Sequence, residues 1–108
     1  MTTFDDREKA FEAKYEHDQE LKFKVTARRN KLLGLWAAGL LGKSGADAEA
    51  YAKEVVMADF EKPGDSDVIE KLSKDLAAAG KPMEEHTIRK QSERLADDAK
   101  KQIMAEVR

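Results

Sequence analysis

Apolar residues recur every three or four positions along nearly the whole chain, and only three short clusters interrupt the rhythm. The clusters are GKSG at 42–45, KPGDSD at 62–67 and GKP at 80–82. With two prolines and six glycines in 108 residues, little else can break a helix. A three-to-four spacing puts apolar side chains on one face of a helix, and no segment shows the alternation of a half-buried strand. Leu21, Val25, Leu32, Trp36 and Leu40 form one stripe, widened by Leu33, Ala37 and Leu41. Ala48, Tyr51, Ala52, Val55, Val56 and Phe60 form a second; Val68, Ile69, Leu72, Leu76 and Ala79 a third; Ile88, Leu95, Ala99, Ile103 and Val107 a fourth.

The expected fold is therefore all-α: a small antiparallel four-helix bundle, with helices over about 20–41, 46–60, 66–79 and 84–106. Ahead of it lies a mobile or marginally helical N-terminal segment, residues 1–19. The helix ends carry matching chemistry. Gly42 suits the left-handed position just past a helix C-terminus. Asp65 or Asp67 can cap the third helix, and Asp67 with Glu70 has the spacing of a reciprocal capping pair. Gly80 and Pro82 end the third helix and help start the fourth.

The N-terminal segment is unusual. Residues 1–20 hold seven acids and three bases, yet they also hold Phe4, Phe11 and Tyr15, three of the seven aromatics in the chain. Spacings of seven and four place all three within ~40° of one helical meridian. Residues 3–18 can thus form an amphipathic helix with a narrow aromatic edge. An isolated helix of that length is marginal in water, and Glu8, Glu12, Glu16 and Glu20 add a like-charged ridge. Such a segment folds against something: a partner, or its own bundle as part of one long first helix. The pattern does not choose between them.

Charge is uneven beyond the leader. Residues 21–45 carry six bases and no acid, and residues 46–108 carry fifteen acids and eleven bases. The basic block admits an anionic partner. A plainer account is that early acids and later bases complement the dipole of one long helix. Nucleic acid is a poor partner for a net-acidic chain whose bases alternate with core leucines. No cysteine is present, which removes disulfides and thiolate chemistry. No run approaches the ~20 apolar residues of a membrane span, so direct membrane insertion is not expected. The acidic start lacks the order of a signal peptide, and the expected location is cytoplasmic.

Several local patterns fail as sites. AAGLLGKS at 37–44 approximates a phosphate-binding loop, but it follows a helix rather than a strand, and Leu40 and Leu41 read as core. DSDVIE at 65–70 begins like a calcium loop and then puts Ile69 and Glu70 where an oxygen ligand and a glycine belong. His17 and His86 each stand alone among carboxylates, without a second histidine one turn away. No nucleophile, catalytic pair or cofactor fingerprint emerges, so no enzyme and no cofactor is expected. Weak contact between an adenine nucleotide and Arg28, Arg29 or Lys31 stays open.

Taken together, MTTFDDREKAFEAKYEHDQEL, RRNKLLGLWAAGLLGKSG and DFEKPGDSDVIEKL resemble the zeta subunit of alphaproteobacterial F-type ATP synthases. The resemblance runs from Met1 into the last predicted helix, where it is least distinctive. It implies a small four-helix protein that is monomeric when free. Its partners would be the catalytic head and central rotor of the synthase, at the inner face of the inner membrane. It further implies that residues 1–19 are an inhibitory element, which becomes helical on entering a catalytic interface and blocks rotation in the hydrolysis direction. On that reading Phe4, Phe11 and Tyr15 are apolar anchors, and Asp5, Asp6, Arg7, Glu8 and Lys14 set polar register. Two alternatives remain: a non-inhibitory assembly factor of the same complex, and a nucleotide-responsive sensor using the basic face of residues 20–41.

Overall fold

The computed structural model describes the backbone of residues 3–61 and 65–106, and the side chains of residues 9–59 and 67–106. It contains five helices rather than four plus a loose segment: α1 (Thr3–His17), α2 (Gln19–Leu40), α3 (Gly45–Glu61), α4 (Asp65–Ala78) and α5 (Glu85–Glu106). No strand occurs among the described residues. None of the helices is long and apolar enough to cross a membrane, among those same residues.

The leader does not continue into a single long first helix. The backbone of Asp18 is extended (φ -107°, ψ 106°), and its side chain caps α2 by accepting from the Leu21 N–H at 3.2 Å. Aspartate is favoured there because its oxygen satisfies an otherwise unpaired first-turn donor. The break also corrects the dipole account of the charges: Lys22, Lys24, Arg28 and Arg29 sit in the first half of α2, Lys31 just past its middle, and its last turn has no base.

Two helix ends follow the sequence reading closely. Gly42 (φ +80°) and Gly80 (φ +76°) are left-handed. Beyond each, an N–H reaches back to close the terminus: Lys43 to the Ala38 carbonyl and Lys81 to the Leu76 carbonyl, both at 2.9 Å. Lys81 adds a second tie, its Nζ donating to the Leu40 carbonyl at 2.6 Å. AAGLLGKS is thus a helix terminus. Asp67 does not cap α4, because the helix already begins at Asp65, whose side chain lies outside those described.

α2 packs against all four other helices. The main core gathers Leu33, Ala37 and Ala38 of α2, Tyr51 and Val55 of α3, Val68, Ile69, Leu72 and Leu76 of α4, and Ile88 of α5. The expected stripe on α2 holds at Leu21 and Val25, which are buried, and shifts toward its widened edge in the second half of the helix. Leu32, Trp36, Leu40 and Leu41 are only partly buried, while Leu33, Ala37 and Ala38 are fully enclosed. Ala79, expected in the third stripe, is exposed, and Phe60 and Val107 lie outside the described side chains. Sequence reasoning did not anticipate the burial of Asn30 and Ser92. Asn30 accepts from Arg29 through Oδ1 (2.9 Å from Nη2), while its buried Nδ2 donor has no partner among the described residues.

α2 and α3 cross in close backbone contact. A Cβ placed on Gly34 would lie 2.7 Å from the Ala52 Cα and 3.2 Å from the Ala52 and Val55 Cβ atoms. The backbones meet there because neither position carries bulk. Across α3 and α4, the Tyr51 hydroxyl donates to Asp75 at 2.7 Å, and Lys71 pairs with Asp75 at 3.1 Å. Burial, reinforced by that bond, holds the Tyr51 phenol well above its usual pKa, so it stays a neutral donor.

Gly34→Ala should destabilise the protein by about 1–3 kcal/mol through overpacking against backbone, despite alanine's better helix propensity. Urea denaturation measures it, and a gain in stability would contradict the crossing.

Candidate functional site

The leader's aromatic edge finds its cover on the chain itself. Phe11 is 8% exposed and joins a second, smaller core with Leu21 and Val25 of α2 and Ala99 and Ile103 of α5. Tyr15, partly buried, packs on the same cluster. Being one turn apart, the two rings stack, with centroids 6.2 Å apart and planes inclined by 19°.

A single cation clasps this contact from α5. Lys100 Nζ lies 4.4 Å from the Tyr15 ring centroid and 3.4 Å from the Glu12 carboxylate. Lysine suits the position because its apolar stem lies along the cluster while its ammonium meets both the ring face and the acid. Glu12 and Lys100 are 88 residues apart, and nothing local in the sequence links them. Sequence reasoning missed both residues, along with the use of Leu21, Val25, Ala99 and Ile103 as the seat of the leader.

The remaining expected site residues divide. Lys14 is exposed. Phe4, Asp5, Asp6, Arg7 and Glu8 belong to the first half of α1, and their side chains lie outside those described. Of Arg28, Arg29 and Lys31, Arg28 and Lys31 line one surface hollow and Arg29 does not. Arg28 turns to α5, where its guanidinium makes a two-pronged pair with Glu106 (2.6 and 2.9 Å) and a bond to Gln102 at 2.8 Å. Arg29 binds the Asn30 side chain, and Lys31 is exposed. His17 and His86 are exposed, and no metal-holding group of His, Cys, Asp or Glu occurs among the described residues.

This geometry defines a class: a helical bundle carrying an acidic amphipathic N-terminal helix, joined at a capped break and seated on the bundle's flank by a few aromatic contacts. The family profile described as ATPase inhibitor subunit zeta matches residues 1–102, and this chain belongs to that family. A protein solved by solution NMR is 49% identical, with a TM-score of 0.70 over 81% of this chain and 99% of its own. No curated protein matches.

Two measurements test the site. Phe11→Ala removes about 3 kcal/mol of packing, more than one short helix can spare, so amide exchange should rise across residues 9–17 while the main core stays protected. Equal loss of protection in α4 would show instead that the two cores unfold as one. The second concerns Glu106, whose carboxyl is held below its ordinary range, chiefly by the hydrogen bond from Arg28. A depressed folded pKa means the pair stabilises above the unfolded carboxylate range and is lost as pH falls through the folded value. In a carbon-13 NMR titration Arg28→Gln should return Glu106 to an ordinary value. An ordinary value already in the unsubstituted protein would mean the pair does not form in solution.

Proposed function

We propose that this protein inhibits ATP hydrolysis by the F-type ATP synthase, with α1 leaving its seat and entering a catalytic interface of the head beside the central rotor. Family membership supports the inhibitory role. The observation that carries the mechanism is the double use open to one aromatic edge: Phe11 and Tyr15 are held by a small cluster and one lysine, on a helix joined to the bundle through the extended residue Asp18. A change in backbone angles at that one residue lets α1 swing as a unit while α2 keeps its cap.

Entry into the partner then exchanges one apolar burial for a larger one. Phe4, seven residues before Phe11 in the sequence, supplies a third anchor in this reading. Asp5, Asp6, Arg7, Glu8 and Lys14 supply polar register. A helix lodged in an interface that must close blocks the motion hydrolysis requires. Self-docking lowers the apparent affinity of the arm in proportion to the fraction held on the bundle, and anchoring by the bundle offsets this through effective concentration. The protein itself performs no catalysis, works as a monomer at the cytoplasmic face of the membrane-bound complex, and needs no cofactor. Any adenine-nucleotide contact at Arg28 or Lys31 is weak, because Arg28 is committed to Glu106.

The test is ATP hydrolysis by the cognate ATPase head with the full chain, with Phe11→Ala/Tyr15→Ala, and with a chain lacking residues 1–19. The full chain should lower the rate, and the other two should lose at least about tenfold in potency, as expected when interface aromatics are truncated. Tight binding of all three with no change in rate would make the protein an assembly factor instead.

A further inference from the structure

We propose that the open side of the α2–α3 pair is a docking groove for an acidic amphipathic helix of the ATPase head. The inference rests on the inhibitory reading and names the surface by which the bundle, as distinct from its arm, holds the partner. Two adjoining hollows of about 560 and 400 Å³ share Lys31 and Val56, the first lying between α2 and α5 with Val56 of α3 at its edge, the second along α3 beside Lys31. Phe23 and Ala27 line the first, Ala50 and Ala52 the second, and Ile103 of α5 closes one end. The two large apolar side chains left most exposed among the described residues belong to these same helices. Phe23, 53% exposed, lines the groove, and Met57, 48% exposed, stands one turn past Lys53 of its rim.

Charge specifies the occupant. Lys24, Arg28, Lys31 and Lys53 rim the hollows against only Glu49 and Glu106. Arg28 neutralises Glu106, and Lys24 reaches Glu20 only at 3.8 Å between well-exposed groups. Lys31 and Lys53 have no ion pair among the described residues. A groove with an apolar floor accepts the ridge of a further helix, and the surplus positive rim selects carboxylates flanking that ridge. The acid-free stretch of residues 21–45 thereby acquires a purpose that neither core explains.

The test uses labelled full-length protein titrated with the purified ATPase head, followed by fluorescence anisotropy at low and high salt, with hydrolysis read in parallel. Lys31→Glu/Lys53→Glu and, separately, Phe23→Ser/Met57→Ser should each weaken binding about tenfold, with thermal melting unchanged. The charge pair should also remove most of the salt dependence. Binding by both variants equal to that of the unsubstituted protein overturns the proposal. So does a dimer, seen by sedimentation, that Lys31→Glu/Lys53→Glu dissolves, because the occupant is then a second copy of this chain. If the unsubstituted protein binds and the groove variants weaken it while hydrolysis never falls, the groove stands and the inhibitory reading fails. If the unsubstituted protein does not bind the head, both fail.

Discussion

The close backbone approach of Gly34 of α2 to Ala52 of α3 governs much of what surrounds it. With no room for a Cβ on Gly34, α2 and α3 touch backbone to backbone there, and α2 is the element every other helix touches. The pair receives α4 and the start of α5 in the main core. Elsewhere on its surface lie the hollows rimmed by Lys24, Arg28, Lys31 and Lys53. A larger residue at position 34 would push the helices apart and alter both at once.

The burial of apolar surface is divided unequally. The main core draws on four helices and encloses leucine, isoleucine and valine completely. The second core is smaller, built from Phe11 with four residues of α2 and α5, and its cover includes the partly exposed Tyr15. Since hydrophobic stabilisation scales with the area removed from water, the first contributes most to the bundle, and the second seats α1 on α2 and α5 while joining those two helices. Local opening of α1 is therefore far less costly than global unfolding, which is the energetic order a releasable arm requires. The ties around α1 are also of a kind that a partner can replace: a stacked aromatic pair, a cation over a ring and an exposed salt bridge. None leaves an uncompensated buried charge when it breaks.

Polar contacts fix geometry more than they add stability. The Tyr51–Asp75–Lys71 set sets the register of α3 against α4. Lys81 ties the loop before α5 to the end of α2. Arg28 with Glu106 and Gln102 holds the last turn of α5 beside the first half of α2. That last pair engages the Arg28 guanidinium within the chain.

The sequence by itself determined the class of the fold, the helix ends at Gly42 and Gly80, and the amphipathic aromatic leader, because each depends on local geometry: periodicity, a left-handed glycine, residues one or two turns apart. It also carried the family, through motifs spread over most of the chain. It left open which face of α2 is the centre of the core. That helix is apolar on several sides, so the period identifies a helix without its rotation, and the enclosed face proved to be Leu33, Ala37 and Ala38 rather than Leu32, Trp36 and Leu40. Only the tertiary structure decided that the leader breaks from α2 at Asp18, that Phe11 and Tyr15 sit on the chain's own flank, and that Lys100 clasps them. Those contacts join residues as many as 88 apart. Which distant surface covers an amphipathic edge depends on how the intervening helices pack, and no local pattern encodes that.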